Sequence, residues 1–359
     1  MLKARVVKSA ALALLVTLSL TACDPPIPAS VLAVQAELEV QCEDGEVSAI
    51  VPESMTDLSL NWSDSLLYAC ETMPITVLDN TASEGDLVVS ESSLIAGRCS
   101  PFATVPVAID AAVLVFNIPD FYDVFLSPQQ IVDIFNGTIT NWSDPALASL
   151  NGDFPLPDLP IILPTEATVS AKVALSDWIS RLSGVPLDLS AVADTTEFNE
   201  ISLAAPAEAG SISIASYSAA MYLGSTTAVI VQDPSDLSTA VRAEYTSLLS
   251  ATTQLTSTIE GTSMKVVLDP SIEPKAEAGL DDVVAPYQAV YAMAMALCGE
   301  DTTLKRTMAR YLLRQDSQGV ILSSTLMPLP ESLRVDAISI VVVGLPIPTP
   351  AATEETDQG

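Results

Sequence analysis

Residues 113–137 read VLVFNIPDFYDVFLSPQQIVDIFNG, and this stretch decides the fold class. It begins with a continuous apolar run, which is typical of a strand buried on both faces. Ser127, Pro128 and Gln130 then have the spacing of a capping box with proline at the first helical position, and Gly137 marks the end of that helix. A buried strand followed by a capped amphipathic helix predicts an α/β protein.

The same alternation of apolar runs and helical patterns extends outward from this stretch. Apolar runs predict strands at residues 37–41, 74–77, 86–89, 112–116, 161–163, 211–214, 228–231 and 264–268. Apolar residues at helical spacing predict helices near residues 54–70, 169–182 and 301–315. The mature chain is long enough to form two domains of ordinary size.

The start of the chain, residues 1–22, has the parts of a lipoprotein signal peptide. A basic beginning precedes an apolar run from Ala10 to Leu20, which is too short to span a bilayer stably. Small residues then precede Cys23, which is predicted to carry the lipid. Residues 23–35 read as a linker and residues 345–359 as a disordered, proline-rich, acidic tail. We therefore expect a lipid-anchored protein on the extracytoplasmic side of the cell membrane.

The charge balance excludes several classes of partner. The chain has 14 basic and 45 acidic residues and a net charge of −31. Three of the basic residues lie in the signal peptide, so the mature protein has 11 basic residues and a net charge of −34. Such a field repels nucleic acid and anionic headgroups, and nucleic acid is not an expected partner.

The cysteines and the missing histidines limit the chemistry further. Besides the lipidated Cys23, the chain has an even set in an oxidising compartment, which predicts two disulfides and leaves three pairings open: Cys42, Cys70, Cys99 and Cys298. There is no histidine, so neither a Ser-His-Asp triad nor a histidine metal site can form. No phosphate-binding loop or dinucleotide fingerprint is present. We expect no enzyme activity, metal or cofactor.

Several segments resemble the phosphate-binding subunit of the phosphate ABC transporter. That family has an apolar helix followed by Phe, Gly, Trp, Asp-Pro and Asn. The matching segments here are 113–119, 126–128, 131–137, 139–145, 150–151 and 156–162, with further similarity at 285–287 and 327–330. The resemblance covers residues 35–343 approximately.

The resemblance implies a type II periplasmic binding protein fold, in which two α/β lobes are joined by two crossover strands and a ligand occupies the cleft between them. It implies that residues 36–112 and 286–344 form lobe I and residues 113–285 form lobe II. It places all four remaining cysteines in lobe I. It also implies an ABC permease as a partner and phosphate as the ligand.

The residues at the family's main anion loop do not match. The family has an Arg-Ser-Asp-Gly-Ser-Gly-Thr loop that opens a helix. An ungapped alignment on residues 176–180 puts Thr165 at the arginine and Glu166 at the serine. Thr168 and Ser170 fall on the two glycines. The guanidinium group that would grip an oxyanion is therefore absent.

Two earlier ligand segments are also altered. Ser48 is the hydroxyl expected at the family's turn after the first strand, and Ser90-Glu91 resembles its Ser-Asp pair after the third. Glu166 lies just before the predicted helix start, where the helix dipole favours a carboxylate. We therefore expect Glu166 to take the place of the anion. The predicted site residues are Ser48, Glu91, Thr165, Glu166, Thr168 and Ser170.

These observations favour two functions. The first is an extracytoplasmic solute-binding lipoprotein that does not bind phosphate in the standard way. The second is an interaction or sensory lipoprotein on the same scaffold, with no small-molecule ligand.

Overall fold

The structure is a computed structural model that describes residues 40–152, 155–196, 198, 200–276 and 283–342. No helix in these ranges is long and apolar enough to cross a bilayer. The predicted signal peptide, the lipidated Cys23 with its linker, and the C-terminal tail all lie outside the described residues.

Thirteen strands are found in the described ranges. They are β1 (Val47–Ile50), β2 (Ile75–Val77), β3 (Leu87–Ser90), β4 (Pro101–Phe116), β5 (Phe125–Leu126), β6 (Glu166–Ala167), β7 (Ala193–Asp194), β8 (Ile212–Ser216), β9 (Val229–Val231), β10 (Ala240–Val241), β11 (Leu255–Glu260), β12 (Ser263–Leu268) and β13 (Val290–Cys298). The large sheet has the order β11-β12-β4-β13-β3-β1-β2, and β8 pairs with β4. Smaller sheets have the orders β10-β9-β5 and β6-β7.

Helices cover these sheets. They are α1 (Thr56–Ala69), α2 (Ser92–Ile95), α3 (Pro128–Phe135), α4 (Pro145–Asn151), α5 (Val169–Ser183), α6 (Tyr217–Leu223), α7 (Tyr245–Thr252), α8 (Thr303–Leu312), α9 (Gln315–Ile321) and α10 (Glu331–Ile340). Short 3₁₀ turns occur at Glu53–Met55, Glu200–Ala204, Leu237–Thr239 and Leu322–Ser324. The α/β fold class predicted from the sequence is confirmed.

Two lobes share the large sheet. Following the division that the resemblance predicts, we use lobe I for β1–β3 with α1, α2 and α8–α10, and lobe II for β5–β10 with α3–α7. Leu58, Trp62 and Leu66 form the buried stripe of α1 in lobe I. The predicted boundaries at residues 112/113 and 285/286 stay a prediction, and the β11–β12 hairpin joins the large sheet where Ser263 of β12 pairs with Thr104 of β4.

The long strand β4 passes from one lobe to the other. Its first part pairs antiparallel with β13, with Val290 opposite Ala111, whereas its last five residues, Ala112–Phe116, pair with β8. The second connection lies just before β13, where the buried Tyr287 donates its hydroxyl to the carbonyl of Ala112 at 2.9 Å. The two connections are therefore tied together at one level of the molecule.

Two disulfides fix lobe I, as the cysteine count predicts. Cys42 is bonded to Cys70 at the end of α1, and Cys99 is bonded to Cys298. The second bond joins the chain just before β4 to the end of β13, across 199 residues of sequence. A crosslink over so long a loop restricts the unfolded chain strongly.

The structure corrects two predicted strands. Residues 161–163 form only an isolated bridge between Ile162 and Ser211. Residues 40 and 41 of the run predicted at 37–41 are not in a strand, and the rest of that run lies outside the described residues. The first described strand is instead β1, where Val47 and Ile50 are buried against the sheet. Ser48 is consequently inside a strand, not in the turn that follows one.

Candidate functional site

The carboxyl end of β3 brings a glutamate to the start of α5. Glu91 directly follows β3, is fully buried and occupies the N-cap position of α2. Its Oε2 atom accepts the backbone N–H of Ser170 at 2.6 Å, and its Oε1 atom accepts the hydroxyl of Ser93. One buried carboxyl group thus joins lobe I to the first turn of a lobe II helix.

The start of α5 has a second acceptor from its own sequence. Thr168 is the N-cap residue, and its Oγ1 atom accepts the N–H of Ala171 at 3.3 Å. The first amides of a helix have no intrahelical partner and attract negative charge. In this protein the hydroxyl of Thr168 and the carboxyl group of Glu91 serve two of them, so the anion-binding end of the helix is occupied from within the chain.

A second buried carboxyl group lies on the crossover strand β4. Asp110 Oδ2 accepts the hydroxyl of Ser218 at 2.6 Å, and Oδ1 accepts the N–H groups of Ala111 and Ser218. Burial raises the pKa of Asp110 to about 6, although these hydrogen bonds act in the opposite direction. Ser218, at the start of α6, also contacts the hydroxyl of Ser54 at 3.4 Å. Asp110 therefore ties the crossover strand to lobe II.

Glu200 supplies the third carboxyl group, from the 3₁₀ turn that packs against β8 and α6. It is 3% exposed. Burial and, to a smaller extent, the negative charges of Asp110 and Glu91 raise its pKa to about 8, against a hydrogen bond from Ser216 that acts in the opposite direction. Its Oε1 atom has no hydrogen-bond partner. We call Glu91, Asp110 and Glu200 the acidic cluster.

Tyr291 of β13 faces the acidic cluster from the large sheet. Its hydroxyl is buried and has no well-aligned hydrogen-bond partner, although the hydroxyl of Ser216 is near enough to lower its pKa slightly. Burial raises the pKa of Tyr291 well above its ordinary value, and the charges of Asp110, Glu200 and Glu91 add to this effect. The hydroxyl of Ser90, next to Glu91, is likewise buried without a partner. Polar groups from both lobes thus converge on one buried region.

The charges that shift the pKa values of Glu200 and Tyr291 are negative, although Arg181 and Lys265 line the pocket of about 410 Å³ that Ser170 and Tyr291 share. Both charges that raise the pKa of Glu200 are carboxylates. Basic residues nearby in sequence have other partners: Lys172 forms an ion pair with Asp194 at 2.5 Å, and Arg98 donates to the carbonyls of Asn80 and Ala82. Within the ranges that the structure describes, no group of three His, Cys, Asp or Glu residues is arranged to hold a metal ion.

The structure brings together three of the six predicted site residues, Glu91, Thr168 and Ser170. A carboxylate does occupy the helix end, but it belongs to Glu91 and not to Glu166. Glu166 is in β6, opposite Ala193, because its backbone pairs with β7 before the helix begins. With Thr165 it lines a separate surface pocket of about 310 Å³.

Ser48 lies in another pocket of about 570 Å³, beside the disulfide of Cys99 and Cys298. Its hydroxyl donates to Asp86 Oδ2 at 2.7 Å, and Lys305 lies 2.9 Å from Oδ1 of the same carboxylate. Burial raises the pKa of Asp86, but the hydrogen bonds from Ser48 and Lys305 outweigh it and leave the pKa lowered. Ser48 is therefore part of an ion-pair network in lobe I, away from the acidic cluster.

The sequence contains a signal for one of the residues that were missed. Asp110 is the single charged residue in the 16-residue apolar strand β4, and a charge in such a run usually has a specific partner. Glu200, Ser216 and Ser218 carry no such local signal. They become a site only when the 3₁₀ turn and α6 are folded against β4.

A superfamily model and several curated proteins match parts of this sequence. The sequence model of the PBP superfamily domain matches residues 75–298. Phosphate-binding proteins PstS3 of Mycobacterium bovis and Mycobacterium tuberculosis are 34% identical over 80 residues, which is 22% of this chain and 22% of theirs. The chain thus matches about a fifth of the length of these curated relatives.

Two solved structures are similar at low identity. A phosphate-binding protein from Stenotrophomonas maltophilia is 15% identical, with a TM-score of 0.48 over 82% of this chain and 93% of that one. An ABC-type phosphate transport receptor from Vibrio cholerae is 14% identical, with a TM-score of 0.39 over 80% of this chain and 100% of that one. Since the superfamily domain accounts for more than half of the sequence, the chain belongs to the PBP superfamily.

Proposed function

We propose that this protein is an extracytoplasmic solute-binding lipoprotein whose cleft does not bind phosphate and favours a neutral or cationic solute. The proposed anchor is the lipid on Cys23, and the proposed partner is an ABC permease. The superfamily membership supports solute binding. Residues 112–162 resemble phosphate-binding subunits, so the proposal that phosphate does not bind requires a physical reason.

The observation that carries the proposal is the 2.6 Å contact between Glu91 Oε2 and the N–H of Ser170. An anion bound at the start of α5 would need that amide and the favourable helix dipole. A negative group at a helix start gains about 0.3–1 kcal/mol from the dipole, and up to about 2 kcal/mol where it is partly buried. An entering phosphate would have to displace a carboxyl group that is already attached to the protein and therefore loses little entropy on binding.

The surrounding charges act in the same direction. At neutral pH a phosphate dianion next to Glu91 would also meet the largely ionised Asp110, whose pKa is about 6, with Thr165 where relatives are expected to have an arginine. Like charges brought together in a buried region are strongly unfavourable. A cationic or neutral solute avoids this repulsion, and a cation would be attracted by it.

Titration calorimetry of the purified mature protein with phosphate tests the proposal. We expect no binding heat from the wild type. The Glu91→Ala variant, which frees the Ser170 amide and removes one negative charge, is expected to gain weak phosphate binding. Glu208→Ala is the matched control, because Glu208 is exposed and lines the separate pocket near Thr165.

Binding of phosphate to the wild type at micromolar or lower concentration would contradict the main claim. If Glu91→Ala gains no affinity, the internal carboxylate is not what blocks the site, and repulsion by Asp110 and Glu200 remains the explanation to test.

One observation favours the second function, an interaction or sensory lipoprotein without a ligand. The chain's own groups connect the lobes through Glu91 and Ser170, so closure does not require a solute. A thermal-shift screen with cations, amino acids and sugars separates the two functions. A ligand at about 100 times its dissociation constant stabilises the folded state by about 2.7 kcal/mol, so a transported solute would be visible.

A further inference from the structure

Phe198 and Glu200, two residues apart in sequence, contact different lobes. Phe198 is 2% exposed and packs in a small apolar cluster with Ile50 and Val88 of lobe I and with Ala296 of β13. The guanidinium carbon of Arg98 lies 4.5 Å from the centroid of the Phe198 ring. Two residues later, Glu200 returns to the contacts with β8 and α6 of lobe II. Phe198 and Glu200 therefore join the two lobes next to the acidic cluster.

The acidic cluster does not have enough donors for three ionised carboxylates. Glu91 has the Ser170 amide and the Ser93 hydroxyl, and Asp110 has Ser218 and the Ala111 amide. Glu200 has only the Ser216 hydroxyl, and its Oε1 atom is buried without a partner. Burying an ionised carboxylate without compensating donors is costly, so such a group takes up a proton instead.

The unpartnered hydroxyl of Tyr291 is an independent sign of the same deficit. It is buried beside the cluster without a well-aligned hydrogen-bond partner, and the hydroxyl of Ser216 acts on both Tyr291 and Glu200, so the two groups share one weak donor. A protonated Glu200 leaves these two groups compatible in one buried space, because neither then carries a charge.

We infer that Glu200 and its neighbours Glu91, Asp110 and Tyr291 form a proton-operated latch between the two lobes. When Glu200 holds a proton, Phe198 keeps its contacts with lobe I, Glu200 keeps its contacts with lobe II, and the lobes remain closed. When Glu200 loses the proton, its carboxylate is repelled by those of Asp110 and Glu91. Phe198 and Glu200 then lose their contacts with the two lobes, and the lobes separate. Separation restores water to the carboxylates without unfolding either lobe. The latch operates whether or not the cleft takes a solute.

Every element packed around Glu200 contributes a group that could modify the latch. The titratable residues facing it are Asp110 from β4, Glu91 from the β3–α2 junction, Tyr291 from β13, Tyr217 from α6 and Glu53 from the 3₁₀ turn at Glu53–Met55. Burial and the charge of Asp110 also raise the pKa of Tyr217, so this tyrosine remains neutral in the range considered. The negative charges of Asp110 and Glu91 act to keep the proton on Glu200.

The direction of the pH dependence follows from the raised pKa of Glu200. Its pKa is about 8 in the closed form and near the ordinary 4.5 once exposed to water. Closure is therefore strongest below about pH 4.5 and weakens as pH rises through the pKa of the closed form. Between those limits one proton is released on opening, so the closing constant falls about tenfold per pH unit. Asp110, with a pKa of about 6, adds to the fall at lower pH.

Hydrogen exchange of the mature protein, read by mass spectrometry, tests the latch. The amides of the first turn of α5 report closure because Glu91 protects Ser170. After correction for the intrinsic exchange rate, their protection in the wild type should fall about fiftyfold from pH 6 to pH 8 and level off above pH 8 at about a hundredth of its pH 6 value. In Glu200→Gln, which keeps the shape of the protonated side chain and cannot ionise, protection should stay constant over this range.

Two further variants make the result decisive. Glu208→Gln changes an exposed glutamate and should follow the wild-type profile. Phe198→Ala removes the lobe I anchor and should give low protection at every pH, a result that does not depend on the stability of Glu200→Gln. Circular dichroism must show both lobes folded throughout.

The proposal is overturned if the wild type and Glu200→Gln lose protection equally between pH 6 and pH 8. It is also overturned if the wild type shows no loss at all. Neither result bears on phosphate binding, which the calorimetry measures separately.

Discussion

The unpaired amides at the start of α3 are capped by residues nearby in sequence, whereas one at the start of α5 is capped by a residue from the other lobe. Both helices begin with amides that have no intrahelical partner. At α3, Ser127 and Gln130 exchange hydrogen bonds within three residues, at 3.2 and 2.8 Å. At α5, the carboxyl group on Ser170 comes from Glu91, 79 residues earlier and in the other lobe. A local cap stabilises one helix, whereas a distant cap also makes the helix start part of the contact between lobes.

The difference has an electrostatic side. The α3 cap is a neutral pair of side chains, so nothing in it titrates. The α5 cap carries a negative charge that raises the pKa of Glu200. The first cap should therefore contribute the same stability at all moderate pH values, and the contribution of the second should depend on pH.

The largest expected effect is that of Glu91→Ala at pH 5. At this pH Asp110 and Glu200 are mostly protonated, since their pKa values are about 6 and about 8. The substitution then removes little repulsion and leaves the buried Ser170 amide without its acceptor. We expect a loss of about 1.5–3 kcal/mol in the free energy of unfolding, the usual range for a buried hydrogen bond to a charged group. Urea denaturation measures it, with Glu208→Ala as the control.

A loss below about 0.5 kcal/mol at pH 5, the size typical of a surface substitution, would mean that the contact between Glu91 and Ser170 contributes little. The comparison between local and distant caps would then describe geometry only.

The next effect is that of Ser127→Ala at the α3 cap. Removing an N-cap hydroxyl costs about 0.5–2 kcal/mol, typically about 1. Because Ser127 and Gln130 do not titrate, the loss should be equal at pH 5 and pH 8. Urea denaturation at both pH values gives the answer, and Ser238→Ala in the exposed 3₁₀ turn Leu237–Thr239 is a suitable control, because Ser238 lies outside α3 and its contacts. A loss that changes with pH would show that this cap is coupled to the acidic cluster after all.

The two caps also show how far the sequence predicts this molecule. The α3 cap, its bounding Gly137 and the long strand through residues 112–116 were predictable, because each signal lies within a few residues. The disulfide pairing of Cys99 with Cys298 was not, since it depends on which ends of β4 and β13 meet. Within the site, the sequence predicts a carboxylate at the start of α5, and it favours Glu166 because that residue is nearest to the helix start in sequence.

Glu91 replaced Glu166 for a reason that only the folded chain reveals. The pairing of β6 with β7 holds Glu166 in a strand, while the parallel pairing of β1 with β3 delivers the end of β3 to the cleft. The role of Glu200 in the acidic cluster could not be predicted from the sequence for a similar reason. Its neighbours Asp110, Glu91 and Tyr291 come from three separate elements, and nothing in the sequence around residue 200 indicates that they meet.

The smallest expected effect, and the sharpest test of the comparison, is that of Glu91→Ala at pH 8. At this pH Asp110 is ionised and Glu200 is about half ionised, given pKa values of about 6 and about 8. The substitution still removes the acceptor of the Ser170 amide, but it also removes a negative charge that acts on Glu200. Loss of that charge lowers the pKa of Glu200 in the folded state, and each unit of lowering returns up to about 1.4 kcal/mol at pH values above the new pKa. The net loss at pH 8 should therefore be smaller than at pH 5 and close to zero if the pKa of Glu200 falls by more than one unit.

Measuring the unfolding free energy of the wild type and Glu91→Ala at both pH values gives this difference directly, and Glu91→Ala in a Glu200→Gln background removes the coupling between residues 91 and 200. In that background the loss should return to its pH 5 size at either pH, whereas an unchanged small loss at pH 8 would show that Glu200 is not the group through which the distant cap senses pH.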